Sequence, residues 1–287
     1  MPMGSSVGTA VSGRLRAAPG ALLGAVAAAG QELIWLAAHA VTYPVGLLSE
    51  QVQLEDPRYR IDTLPPVIRG LITGDINAAG RPILLVHGIG DNRSAFSFLR
   101  RTLRRRGYGR ISTVNYSPLT TDVRKAAANL ARHVERVCQQ TGYEQVFLIG
   151  HSLGGIIARY YEQCAEGDQR VHTLVTLGSP HAGTQLARLA PLGVCQQLRP
   201  NSGLMRELAR PANCSTRFVA VYSDRDEVVL PNRSAKLEHP DLVVSRVRVR
   251  GVGHLALLVN STVAHAVAGA LAEPAGASER VELALNG

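Results

Sequence analysis

Gln145-Val146-Phe147-Leu148-Ile149-Gly150-His151-Ser152-Leu153-Gly154-Gly155-Ile156-Ile157-Ala158-Arg159 is the stretch on which the fold turns. Val146–Ile149 is a short, unbroken apolar run, the pattern of a strand buried on both faces. From Leu153 onward the spacing becomes helical. Between the two, Gly150-His151-Ser152-Leu153-Gly154 fits the G-x-S-x-G corner, in which a serine on a strained strand-to-helix turn holds its hydroxyl clear of the sheet. The glycines are expected because strand and helix backbones approach there too closely for Cβ atoms. Five residues of this pattern occur by chance in many chains. The strand before them and the helix after them give the pattern its meaning.

Working outward, short apolar strands alternate with helices. Strands are expected at Pro82–Val86, Ile111–Asn115, Gln145–Gly150, Val171–Leu177, Arg217–Tyr222 and Arg246–Arg250. Helices are expected at Ser94–Arg106, Val123–Gln140, Leu153–Glu162 and Leu255–Leu271. In the second of these Ala127, Leu130, Val134 and Val137 recur at helical spacing. Strands joined by helical crossovers imply an α/β fold with a mostly parallel central sheet and helices on both faces. The domain is expected over residues 81–273, followed by a tail at 274–287. Residues from about 181 to 213 form an insert carrying Leu186, Leu189, Leu192, Leu198, Leu204, Met205 and Leu208, read as a small fixed cap or a mobile lid. Arg100, Arg101, Arg104, Arg105 and Arg106 crowd one helix end, where they complement the macrodipole.

A serine hydroxyl is a poor nucleophile and needs a base, itself oriented by a third group. On a strand–serine–helix corner the acid and then the base follow later in the chain. The later histidines are His172, His181, His239, His254 and His265. His254 follows the sixth strand in Gly251-Val252-Gly253-His254-Leu255, where a loop carries it over the sheet's C-terminal edge. His181 is its rival. Asp224, Asp226 and Glu227 all follow the fifth strand. Asp226 suits the acid best because Val228 and Val229 anchor the chain after it, and Asp224 is the alternative. A tetrahedral intermediate also needs backbone N–H donors. Leu153 follows the serine, and Ile89 lies in the glycine-flanked loop His87-Gly88-Ile89-Gly90 after the first strand.

The 287 residues suffice for one large domain, and 46% hydrophobic content excludes a disordered or fibrous chain. The net charge of +9 is almost wholly arginine, since Lys125 and Lys236 are the only lysines. No nucleic-acid motif accompanies it, so nucleic acid is not an expected partner. Residues 1–16 read as disordered and 50–80 as a polar connection with a short apolar run at Val67–Ile72. Residues 17–49 are strongly apolar. Glu32 makes a spanning helix costly, by about 2.5–3.5 kcal/mol. A docked helix, a helix in a membrane interface, a span and a cleaved leader therefore all stay open, and a membrane-associated, cell-envelope or secreted location is favoured. Of the four cysteines, Cys138 and Cys164 read as buried, inert thiols in helical stretches, while Cys195 and Cys214 flank one segment that a disulfide would close in an exported protein.

Residues from about 82 to 270 resemble bacterial lipases and esterases of the α/β-hydrolase superfamily, especially actinobacterial ones. The matching pieces are Val86-His87-Gly88-Ile89-Gly90, Gly150–Gly155, Thr176-Leu177-Gly178-Ser179-Pro180-His181-Ala182-Gly183-Thr184, Ser223–Val229 and Gly251–Leu258. The resemblance implies Ser152 as nucleophile, Asp226 as acid, His254 as base, and Ile89 and Leu153 as oxyanion donors. It implies hydrolysis of an ester or lipid substrate with no cofactor and no metal. An acyltransferase or thioesterase would use the same residues. A non-catalytic binding protein would retain them without use.

Overall fold

A computed structural model describes residues 76–116, 120–190, 193–273 and 282–286. The apolar segment 17–49, the disordered reading of 1–16 and all but the last five residues of the 50–80 connection lie outside them. Among the described residues no helix is long and apolar enough to cross a membrane.

Seven strands form one sheet in the order β2-β1-β3-β4-β5-β6-β7, and every pairing is parallel. They are β1 (Ile83–Val86), β2 (Ile111–Val114), β3 (Val146–His151), β4 (Val171–Leu177), β5 (Arg217–Ser223), β6 (Val243–Arg250) and β7 (Glu282–Asn286). The helices are α1 (Ile76–Gly80), α2 (Ser97–Arg105), α3 (Val123–Thr141), α4 (Leu153–Cys164), α5 (Gly193–Gln197), α6 (Gly203–Leu208) and α7 (Ser261–Ala272). Strand side chains alternate between two cores. Leu84, Val86, Leu148, Leu174, Phe218 and Ala220 face α3, α4 and the 181–213 insert. Ile83, Leu85, Phe147, Ile149, Val175 and Val219 face α2 and α7. Both faces are therefore covered, which is why β1 and β3 contain no polar residue facing solvent.

The chain goes from β1 outward to β2, then returns past β1 to β3. The strand order thus reverses between β1 and β3, and the crevice at their C-terminal ends is where such sheets bind ligands. Val86 pairs with Gly150, His151 with Leu177, and Leu177 with Val221. The loops that leave β1, β3, β4 and β5 consequently start at one edge.

Several expectations are corrected. The helix expected at Leu255–Leu271 is a 3-10 turn at Leu255–Leu258 and then α7, because Asn260 caps a new start by accepting from the Val263 N–H at 3.0 Å. The expected tail contains β7, which extends the sheet beside β6 although three of its five residues are polar or small. The connection ends in α1. The disulfide allowed between Cys195 and Cys214 is absent: both are buried thiols, and Cys164, expected to be buried, is exposed at the end of α4.

The insert is fastened to α4. Arg159, 3% exposed, donates to the carbonyls of His181 at 3.1 Å and Leu208 at 2.8 Å, near the insert's two ends. Leu198, Leu204 and Leu208 are buried beneath it. These contacts pack the insert against α4. Leu186 and Leu189 point outward, at 38% and 81% exposure.

Candidate active site

Ser152 is the N-cap of α4 and has φ 52°, ψ −122°. A non-glycine residue in such a conformation costs on the order of 1–3 kcal/mol. N-cap serines ordinarily have extended backbone and accept a hydrogen bond from their own helix. This one makes no such bond, so the hydroxyl is left for other partners. The strain is held in place by close packing. A Cβ on Gly154 would stand 2.1 Å from the Val86 carbonyl oxygen, so the second residue of α4 must be a glycine. The Ser152 N–H donates to Leu177 O at 2.9 Å, tying the corner to the end of β4.

The loops after β5 and β6 meet beside this corner. His254 Nδ1 is 2.7 Å from Asp226 Oδ2, with both side chains almost fully buried. The other oxygen of Asp226 accepts from the N–H groups of Val228 and Val229 at 2.9 and 2.8 Å. The carboxylate is thus oriented by the main chain of the apolar anchor that follows it. Asp224 is engaged elsewhere, with Arg248 at 3.0 Å and the Gly251 N–H at 2.9 Å. Glu227 accepts from the His254 N–H at 3.4 Å. Of the three acids, only Asp226 has a hydrogen bond to the His254 ring.

Gly178, just past β4, completes this packing. With φ 55° it turns the chain so closely that a Cβ would lie 3.0 Å from Asp226 Oδ2 and 3.2 Å from His254 Nδ1. Since Leu177 holds the Ser152 N–H, one residue step connects the serine corner to the acid–histidine pair.

The loop after β1 closes the other side. A Cβ on Gly88 would be 3.2 Å from Ser152 Cβ, which puts that loop against the serine. Ile89 is the next residue, 37% exposed. Tyr116 was not singled out from sequence. Its hydroxyl donates toward the His87 and Gly88 carbonyls at 2.7 and 3.1 Å, and its ring stacks on His87 at 4.3 Å. That engages the loop's carbonyl oxygens. Burial, then the nearby Asp91 carboxylate, pushes the phenol well above the usual tyrosine range, so it stays a donor. Leu153 is the first residue of α4, where main-chain N–H groups have no acceptor within the helix.

The rival histidine is accounted for. His181 is buried with Nε2 on Thr176 Oγ1 at 2.9 Å, and burial, then the Arg159 guanidinium, holds it well below the usual histidine range. His172 and His239 bond Thr173 and the Arg210 carbonyl, and His265 bonds Arg106. Among the described residues no cluster of three or more His, Cys, Asp or Glu side chains is arranged to hold a metal ion.

Comparison with solved structures agrees with this architecture. The mature lipase BlEst2 of Bacillus licheniformis superposes with TM-score 0.58 at 20% identity, over 68% of this chain and 93% of that one. Lipase B of Aspergillus fumigatus gives 0.61 at 18% identity, over 68% of this chain and 53% of that one. The chain has the α/β-hydrolase fold. Within that fold, the sequence model of the palmitoyl protein thioesterase family matches residues 82–213. A triacylglycerol lipase of Burkholderia plantarii is 32% identical over 125 residues, 40% of this chain and 34% of that one. One from Pseudarthrobacter phenanthrenivorans is 33% identical over 122 residues, 39% and 37% of the two chains. The chain thus spans little more than a third of the length of these two lipases.

Proposed function

We propose that this α/β-hydrolase cleaves carboxylic esters through an acyl-enzyme on Ser152. The observation that carries the reading is the 2.7 Å Asp226–His254 pair beside a serine held at φ 52°. In the proposed first step Ser152 Oγ attacks the acyl carbon while His254 Nε2 takes its proton. Asp226 keeps the Nδ1 hydrogen of His254 in place and favours the imidazolium that forms. The N–H groups of Leu153 and Ile89 stabilise the oxyanion. His254 then returns the proton to the leaving alcohol. Water, deprotonated by the same histidine, releases the acid and restores the hydroxyl. No cofactor or metal enters these steps.

The substrate proposed is lipid-like. Ile89, Leu186, Leu189 and Leu230 are four of the five exposed large apolar side chains among the described residues. All four lie on the loops after β1 and β5 or on the cap, at the catalytic end of the sheet. Membrane association through residues 17–49 belongs to the same proposal and is supported by their apolar run with Trp35 and Tyr43. Fractionation of cells expressing the full chain and a chain lacking residues 1–49 tests it. Full-length protein found wholly in the soluble fraction at low salt contradicts it.

The catalytic reading is tested on p-nitrophenyl esters from acetate to stearate. Ser152→Ala is expected to lose on the order of 10⁴–10⁶ in kcat while keeping the fold. A second reading, thioester hydrolysis by the same residues, is favoured by the thioesterase family match over residues 82–213. Palmitoyl thioester turnover without turnover of any oxygen ester would select it.

A further inference from the structure

The proposed mechanism makes no use of His151. This residue ends β3, immediately before Ser152, and is 1% exposed. Its ring sits between two loops. On one side Nε2 is 3.3 Å from the main-chain carbonyl oxygen of His254. A carbonyl only accepts, so Nε2 carries the hydrogen and donates it. The His151 and His254 rings also pack together, with centroids 4.8 Å apart and planes tilted by 44°. On the other side Nδ1 is buried without a hydrogen-bond partner, and Asp91 Oδ2 lies 3.7 Å from it. Asp91 belongs to the loop after β1, two residues beyond Ile89, and is itself buried. Gly88 leaves the room for this approach, since a Cβ there would be 3.2 Å from His151 Nδ1.

A phenylalanine would fill the same space without an orphaned buried nitrogen, which is a cost in any core. The polar ring contributes what a phenylalanine lacks, a donor to the carbonyl of His254. Two hydrogen bonds tie His254 to the β5 loop, Asp226 at Nδ1 and Glu227 at the N–H. His151 adds a constraint from β3, the strand that carries the serine.

We propose that His151 is a positioning residue for His254. It fixes the main chain and ring face of His254 relative to the serine corner. One imidazole thereby sets the mutual register of the serine and the base. The proposal rests on reading Ser152, His254 and Asp226 as the reacting set. Misplacing a reacting group by about 1 Å can cost on the order of a hundredfold in rate.

The test compares His151→Phe with His151→Gln in the full chain. Gln carries an amide N–H at about the reach of the imidazole Nε2–H, and Phe carries none. On a p-nitrophenyl ester, His151→Phe is expected to lower kcat on the order of tenfold to a hundredfold with KM within about twofold, and His151→Gln to recover most of the loss. In parallel, the downfield Nδ1–H proton resonance of His254, hydrogen-bonded to Asp226, is expected in the wild type, shifted or broadened in His151→Phe and restored in His151→Gln. This signal reads the position of His254 whatever the substrate. A wild type inactive on every ester, with the resonance still responding as expected, overturns the ester reading and supports the positioning role. An unchanged resonance and kcat in His151→Phe overturn the positioning role and leave the ester reading standing. If His151→Phe does not fold, His151→Gln decides alone. Native kcat and resonance then support the proposal, and a loss equal to that of Asp226→Asn overturns it.

Discussion

The serine corner and the cap lie at the same end of the sheet and are held by different means. At the corner the main chain itself leaves no slack: a Cβ on Gly154 would collide with the Val86 carbonyl at 2.1 Å. The acid is likewise set by main-chain N–H groups, those of Val228 and Val229. The cap relies more on side chains, the Arg159 guanidinium and a row of buried leucines, beside main-chain bonds such as Gln185 N–H to Leu230 O at 2.8 Å, and its helix α6 begins on Gly203, which has open space around its Cβ position. The difference teaches where chemistry and selectivity reside. Atoms that must meet within a few tenths of an ångström are placed by backbone contacts. The exposed cap residues proposed to meet the substrate hang on a layer that tolerates change.

The largest expected effect sharpens this contrast within one loop. Asp226→Asn removes the group that sets the tautomer of His254 and is expected to lower kcat by about 10⁴-fold. Asp224→Asn, two residues earlier, loses an ion pair with Arg248 that is partly exposed, and is expected to change kcat by less than about fivefold. Steady-state kinetics on a soluble short-chain ester measures both. A larger loss from Asp224→Asn would reassign the acid.

Next in size is a glycine pair. Gly154→Ala forces a backbone clash and is expected to cost about 3 kcal/mol or more, or to prevent folding. Gly203→Ala meets nothing and is expected to be neutral or stabilising by up to about 1 kcal/mol. Urea unfolding of the two variants breaks the comparison if their costs are similar.

The hinge between corner and cap supplies a pH prediction. His181 is held neutral in the folded chain by burial and by Arg159, well below its unfolded value. The unfolded state therefore binds a proton that the folded state refuses, and stability is fully present above about pH 6.5 and lost as pH falls below it. The slope is about 1.4 kcal/mol per pH unit for one such group. Replacing His181 with Gln, which keeps a partner for Thr176, is expected to remove that slope. Unfolding curves at pH 7 and pH 5 that differ equally in both proteins count against it.

The smallest effect lies on the cap surface. Leu189→Ser is expected to raise KM for long-chain esters by a few-fold and to leave acetate ester turnover unchanged, about 1 kcal/mol of lost apolar contact. A chain-length profile identical to the wild type removes Leu189 from the acyl path.

The same division decides what the sequence discloses. The corner is readable because its requirements are local: a strand period, a small-residue turn and a helix period in consecutive residues. Asp226 is preferred over Asp224 on the apolar pair after it, and the hydrogen bonds from Val228 and Val229 are the physical content of that preference. Tyr116, Gly178 and the His151–Asp91 contact escape such a reading. Each acts on a residue far along the chain through a pairing that only sheet register creates. β7 escapes for a related reason. Val281, Leu283 and Leu285 alternate, but over too short a run to stand out from a tail, and its place comes from main-chain pairing with β6. The break before α7 hinged on Asn260, a cap inside an otherwise continuous apolar stretch.

The central claim is that Ser152 is an activated nucleophile. It is tested most directly by treating the full chain with a fluorophosphonate and mapping the adduct by peptide mass spectrometry. A single phosphonylated peptide containing Ser152, lost in Ser152→Ala and strongly slowed in Asp226→Asn, is the expected result. Absence of any adduct on Ser152, or labelling that persists at another serine after Ser152→Ala, would contradict the account.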